Sequence, residues 1–387
     1  MNYSEKTSYL RQWWNDNNFP VIVFSLTWLW LNLLSCTMLY LFPMRAASLN
    51  WCIFPQNIFL EGWVRWDAGW YLGIAESGYT NIAKNIEGQK DTAFFPLYPL
   101  FIRALNKIIP NVYFCGVLIS NISFLAALIL LFRIIRMNYD IKVAKQAIIL
   151  ISVYPFSLFY RAMYTESLFI LLVVSAFYFG EKKKWIFASI MAAGAGATRI
   201  VGFLTIAGLL VLYLDKSGWD RKKIRPDILW IALAGLGVGS YMLYLSITFG
   251  NPLLFATNQT AHGWNAGTPL ETARESISVF LSASTLVERF YPVLRLFYIL
   301  LFFLCLIFCI ISWKKLGIAY ASWAILMVLL SFMGWKSMGR YTSTIFPLFI
   351  SFALMLKKEI WFKTAVYLSI VLLTFFTLLF THAYWVA

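Results

Sequence analysis

Runs of apolar residues recur along the chain, each bounded by polar or basic positions. A transmembrane helix needs about 20 consecutive, mostly apolar residues. By that measure the sequence predicts spans at 20–42, 113–132, 144–160, 165–180, 228–249, 292–312, 318–333, 341–356 and 364–383. The stretch 186–214 needs a separate argument. Its flanks, Lys182-Lys183-Lys184 and Arg221-Lys222-Lys223, are both basic and belong on the same side, so an even number of crossings separates them. Two short helices with a turn near Thr198-Arg199 meet that demand, and the small residues of 192–197 allow them to pack closely. The expected fold is therefore all-α: one polytopic membrane domain over 1–387 with about eleven transmembrane helices. Two long connections, 43–112 and 250–291, fall on one side. Within the first, Leu97, Leu100, Phe101, Ala104, Leu105 and Ile108 recur at helical spacing, opposite Arg103, Asn106 and Lys107. That pattern predicts an amphipathic helix lying in the membrane surface. No internal repeat or low-complexity tract is present.

Composition strengthens this reading. Apolar residues make up 61% of the 387 positions and charged ones only 13%, where soluble domains carry about 25%. Aromatics reach 19%, as two membrane interfaces would use. No polar stretch is long enough for a second core. The first apolar run is too long for a signal-peptide core and lacks a prompt small-residue cleavage site, so it reads as the first span.

The net charge of +15 at first suggests nucleic acid, but its distribution does not. With the N-terminus in the cytoplasm, the inside segments are 1–19, 133–146, 181–185, 215–227, 313–317 and 357–363. These 63 residues hold 19 of the 32 basic side chains. The excess is a topology signal and an attraction to anionic lipid, not a nucleic-acid footprint. The five cysteines have no metal-like spacing and read as inert buried thiols.

Chemistry is expected on the two long outside loops. Asp67 stands among tryptophans in Arg65-Trp66-Asp67-Ala68-Gly69-Trp70. Partial desolvation would make it a better base, while capping of the following helix is the structural alternative. Glu166, in Tyr164-Thr165-Glu166-Ser167, could bind a substrate hydroxyl, pair with Arg161, or sit at a favourable helix N-terminus. Arg199 lies at the turn of a short hairpin. A bilayer arginine costs about 2.5–3.5 kcal/mol on insertion scales, so a phosphate or an internal acid should compensate it. Lys336 and Arg340 occupy another short outside turn, where lipid snorkelling and a bound anionic substrate are the two readings. In the second loop Gln259, His262 and Trp264 follow Gly250-Asn251-Pro252; Trp264 could stack on a sugar, and a lone histidine is a weak signal. There is no nucleotide-binding loop, HExxH, CxxC or Ser-His-Asp set, so an activated donor must arrive through the membrane.

These motifs in order resemble one family. Arg65-Trp66-Asp67 with Gly78-Tyr79, Phe95-Pro96-Leu97-Tyr98-Pro99, Tyr164-Thr165-Glu166-Ser167-Leu168-Phe169, Thr198-Arg199, Gly250-Asn251-Pro252-Leu253, and Arg340-Tyr341 with Phe346-Pro347 are similar to the PIG-V mannosyltransferases, members of the GT-C membrane glycosyltransferases. The resemblance spans 61–350 and implies a polyprenyl-phosphate-linked sugar donor, a lipid or glycan acceptor, and Asp67 as catalytic base. Two departures weigh against a GPI acceptor: Gly69-Trp70-Tyr71 where many relatives have a histidine, and Ile200-Val201-Gly202 after Thr198-Arg199. The compact chain looks like a prokaryotic, inner-membrane member with its site extracytoplasmic. Taken with the residue reading, the substrate-binding candidates are Arg65, Trp66, Tyr98, Glu166, Arg199, Gln259, His262, Trp264, Lys336, Arg340 and Tyr341. No metal or cofactor is expected, because one phosphate and several cations suffice for an inverting displacement. The rivals are a lipid or solute transporter, which would show broken mid-membrane helices in inverted repeats, and an acyltransferase, which would need a catalytic histidine.

Overall fold

The structure is a computed structural model that describes residues 3–42, 56–83, 88–261, 268–311, 313–331 and 337–386. Among these residues the chain is helical, and its one β feature is an isolated bridge between Ala83 and Lys90. Helix α1 (Tyr3–Leu41) is followed by the first loop, which carries α2 (Ile58–Glu61), α3 (Ala68–Ser77) and α4 (Leu97–Asn106). Then come α5 (Val112–Asn138), α6 (Ile141–Val153), α7 (Glu166–Glu181), α8 (Trp185–Thr198) and α9 (Thr205–Lys216). Helix α10 (Leu236–Phe249) continues a 3-10 stretch, Pro226–Gly235, and leads through α11 (Leu254–Ala261) to α12 (Pro269–Ser282). The rest is α13 (Leu286–Ile311), α14 (Trp313–Leu316), α15 (Ile318–Ser331), α16 (Met338–Ser343), α17 (Phe346–Met355) and α18 (Glu359–Thr381).

Five helical stretches are long and apolar enough to cross a membrane: 14–41, 112–138, 226–249, 288–311 and 359–381. Helices α8, α15 and α17 are shorter apolar helices. The long ones bear large exposed aliphatics such as Leu26, Leu33, Leu300 and Val371, each more than half exposed. Lipid, not water, suits such faces. Two expected spans differ in form. The 144–160 run ends as α-helix at Val153 and continues past Tyr154-Pro155 as a buried 3-10 turn, Ser157–Tyr160. The 341–356 run is broken into α16 and α17, the latter starting with proline in its first turn. Proline fits there because its missing N–H would be unpaired anyway.

The core runs through α5, α6, α7 and α17, and residues 155–170 are buried without interruption. The hairpin α8–α9 forms as the flanking charges predict, with Arg199 extended at its turn. Its two ends, and those of α7, sort the loops. At the last turn of α7, Glu181 pairs with Lys216 at 2.5 Å and accepts from Tyr320 at 2.8 Å, while Tyr139 donates to the Lys315 carbonyl at 2.8 Å. These residues fall on or beside the basic segments assigned to the cytoplasm. At the first turn of α7, about 23 Å away for fifteen helical steps, Glu166 meets residues from the loops assigned outside. The described contacts thus gather at two opposite ends of α7.

The first loop is braced rather than loose. Asp91 is fully buried and accepts from the Thr80 N–H at 2.8 Å, the Thr80 hydroxyl at 2.7 Å and the Asn81 N–H at 3.0 Å. Asn258 of α11 donates to Thr92 Oγ1 at 2.5 Å, and Tyr241 of α10 to the Thr92 carbonyl at 2.9 Å. The two long loops are therefore joined. Leu100 and Phe101 of α4 and Ile108 just beyond it are exposed, while Tyr98 and Ile102 are buried. Arg103 turns back to donate to the carbonyls of Ala75 at 2.6 Å and Ile74 at 3.0 Å. It closes the C-terminal end of α3, where a cation is favoured.

Candidate active site

Asp67 opens α3, yet its side chain makes no capping hydrogen bond. Its backbone carbonyl accepts from Trp70 at 3.0 Å, so the helix starts without help from the carboxylate. Asp67 Oδ2 instead faces Arg340 Nη1 at 2.6 Å. The same guanidinium places Nε 3.3 Å from Glu166 Oε1, and Arg199 Nη1 pairs with that same Oε1. Two acids and two arginines from α3, α7, the α8–α9 turn and α16 thus form one cluster. Glu166 is 1% exposed and the other three side chains 10–18%, so the cluster is secluded but reachable. Glu166 Oε2 is buried and has no hydrogen-bond partner among the described residues. Arg161, the other partner considered for Glu166, turns away. It donates to Thr27 Oγ1 at 2.8 Å and stacks over Phe24 at 4.2 Å.

Local sequence explains how the loop is held. Trp66 has φ +52°, a left-handed conformation that a bulky side chain adopts only when its surroundings impose it. Gly62 makes the approach to α1 possible: a Cβ there would fall 2.0 Å from Ser35 Oγ. Tyr164 clamps the motif from behind. Its hydroxyl accepts from the Asp67 N–H and donates to the Arg65 carbonyl, each at 3.2 Å. Tyr160 and Tyr154 hold α16 in the same way, the first through the Ser343 carbonyl and the second through Thr342 Oγ1 at 2.8 Å. Gly339 lets α16 lie against Phe156, where a Cβ would come within 2.4 Å of the ring. One buried segment therefore positions both the acid and the arginine. Tyr71 reaches Thr165 Oγ1 at 3.4 Å. Burial first, then the charges of Glu166 and Asp67, push its hydroxyl well above the ordinary tyrosine range, so it stays protonated.

The other expected site residues divide. Tyr341 presents its ring to Arg199 at 5.0 Å and Arg340 at 5.7 Å, and Trp66 adjoins Asp67. Arg65 is fully buried, donating to the Thr381 carbonyl at 3.3 Å and pairing with Glu61 at 3.4 Å. Tyr98 is fully buried, its hydroxyl shared between the Gly116 carbonyl at 2.9 Å and Ser120 at 2.8 Å. Gln259 lies in α11. His262, Trp264 and Lys336 fall outside the described residues. Among the described residues no three His, Cys, Asp or Glu side chains gather as metal ligands. The free cysteines Cys115, Cys305 and Cys309 are buried and Cys36 is partly so.

The mannosyltransferase (PIG-V) family matches this chain over residues 19–217, more than half of its length. The chain belongs to the PIG-V mannosyltransferase family. It is accordingly an integral membrane glycosyltransferase. No curated protein matches it. The family match includes Asp67, Glu166 and Arg199 and ends before Arg340. The structure brings that later residue into their midst, together with one that sequence reasoning missed. Trp385, beyond α18, packs edge-on against Trp66 with centroids 5.5 Å apart and lies 5.7 Å from the Arg340 guanidinium. No local motif marks it.

Proposed function

We propose that this PIG-V member moves mannose from a polyprenyl-phosphate donor to a hydroxyl of a lipid-linked or other extracytoplasmic acceptor. The observation that supports the reading is the Asp67–Arg340–Glu166–Arg199 cluster, in which the carboxylate of a helix-opening residue is diverted from capping to an arginine. The donor is a phosphodiester with one negative charge. Its phosphate oxygens compete with Asp67 and Glu166 for Arg340 and Arg199, since guanidinium binds phosphate bidentately. That exchange loosens Asp67. Its oxygen then takes the proton of the acceptor hydroxyl as the hydroxyl oxygen attacks the anomeric carbon. The bond from that carbon to the phosphate oxygen breaks with its electron pair, leaving polyprenyl phosphate with a second negative charge. The arginines stabilise this growing charge in a site sheltered from water. A single displacement inverts the anomeric configuration.

A lipid chain has a candidate resting place near the site. A largely apolar groove of about 470 Å³ lies between α12, α13 and α18, with Arg289, Phe297 and Phe376 in its lining. Phe376 stacks on Phe156 at 4.9 Å, and Phe156 touches Gly339, next to Arg340. We place the site on the outer face of a prokaryotic plasma membrane, with the N-terminus cytoplasmic. The test is direct. Purified protein given radiolabelled polyprenyl-phosphate mannose and a panel of lipid and glycan hydroxyl acceptors should form a labelled product and release polyprenyl phosphate. If labelled lipid only exchanges between membrane leaflets, with no new glycosidic bond, the transporter reading replaces this one.

A further inference from the structure

We infer that Trp66 and Trp385 form the subsite for the sugar ring being transferred. The two indoles stand at 78° to one another, making a corner beside Asp67 and Arg340. Both rings are half-buried, so each is held yet keeps open surface. The indole N–H of Trp66 is buried and has no hydrogen-bond partner among the described residues. A buried donor of this kind calls for a partner, which a polar group that arrives would supply. The chain also holds the corner at some conformational expense. Trp66 is in the left-handed region, and so is Ala383 at φ +62°, two residues before Trp385.

The segment after α18 is fixed by several contacts. The Thr381 carbonyl accepts from Arg65, His382 Nε2 lies 3.1 Å from the Phe42 carbonyl, the Tyr384 N–H donates to Leu379 at 2.9 Å, and Val386 is fully buried. Trp385 is thus built into place beside Arg340 and Trp66.

The chemistry of a hexopyranose matches this corner. One face carries the axial C–H bonds at C3 and C5 and is apolar, and the rim is ringed by hydroxyls. Trp385 offers an aromatic surface for the apolar face, and the Trp66 N–H a donor for one hydroxyl. The sugar lies within reach because its anomeric carbon is one oxygen away from the phosphorus, and the phosphate belongs on Arg340 in the reading above, on which this inference rests.

The experiment separates sugar from phosphate. Full-length parent, Trp385→Ala and Trp385→Phe are assayed with polyprenyl-phosphate mannose for KM and kcat, and sugar-free polyprenyl phosphate is measured as an inhibitor of each. Trp385→Ala should raise KM about tenfold while the inhibition constant moves less than about twofold, and Trp385→Phe should recover most of the loss. An unchanged KM overturns the subsite. So does a parallel rise in KM and inhibition constant, which would make Trp385 a structural wall. A parent inert with this donor overturns both the donor reading and the subsite, whereas an active parent with an indifferent Trp385→Ala overturns the subsite alone.

Discussion

Arg340 Nη1 lies 2.6 Å from Asp67 Oδ2 across 273 residues of sequence. The pair couples the first loop to the turn before α17, and it denies Asp67 the capping role that its position at the start of α3 would suggest. Charge and helix geometry are therefore separable at Asp67.

Asp67→Asn tests that separation. If Asp67 is the base, transfer should fall by about 10²–10⁴, the usual contribution of acid–base catalysis. Helix α3 should survive, because no side-chain cap is lost. Losing the charge partner of Arg340 should lower stability modestly, by about 1–3 kcal/mol, since Glu166 still faces that guanidinium. Activity in detergent and a thermal melt read the two effects. Near-parental turnover would end the catalytic assignment and move Glu166 to the front.

Arg199 and Arg340 should behave alike toward donor and differently toward folding. Replacing either with lysine keeps the charge but not the two-pronged fork, so donor KM should rise about tenfold with partial retention of turnover. Arg340→Ala leaves Asp67 and Glu166 close together with one cation fewer and should destabilise more than Arg199→Ala. Donor saturation curves and melts of the four variants provide the check. Normal donor kinetics in both alanine variants would make the arginines structural.

Much of the fold was legible because a bilayer imposes a crude, long-range demand on composition. Apolar length marked the helices, and basic flanks forced the 186–214 segment into a hairpin. The break between α16 and α17 was also written in the chain, by Pro347, but the surrounding apolar run hid it. The site was only half legible. Asp67, Glu166 and Arg199 sit in recognisable local motifs, yet no local pattern says that one arginine will serve two distant acids. Whether Arg199 meets an acid or a phosphate was open from sequence; the structure pairs it with Glu166, and the donor proposal has phosphate compete for it. Trp385 carried no signal at all. Its role depends on where α18 ends and on the backward fold of the residues that follow, which are tertiary facts.

Topology has its own test. The described contacts place Lys216 and Glu181 at one end of the bundle and Glu166 at the other. A cysteine at Lys222 should react only with reagent supplied from the cytoplasmic side, and one at Thr268 only with reagent from outside. Both positions lie in connecting segments, so labelling should not disturb packing. Outside labelling of Lys222 would reverse the orientation and put the site on the wrong face for an outer-leaflet donor.

Gly339→Ala probes how closely α16 must approach the buried segment. A Cβ at 339 would come within 2.4 Å of Phe156, whose ring is fully buried and stacked on Phe376. That ring has little room to retreat, so α16 must shift and carry Arg340 with it. Overpacking of this kind destabilises by about 1–3 kcal/mol, and a displacement near 1 Å at a reacting centre can cost about 10²-fold in rate. The variant should therefore fold with a lowered melting temperature and transfer far more slowly. Shrinking the obstacle should reverse part of the defect: Gly339→Ala combined with Phe156→Leu should regain activity relative to Gly339→Ala alone. Phe156→Leu by itself should be destabilised, because the aromatic stack is lost while the glycine leaves the space unfilled. Coupling of opposite sign in the double-mutant cycle would follow from the contact. If the two substitutions simply added, in both melt and turnover, the close approach of Gly339 to Phe156 would not be what sets Arg340 in place.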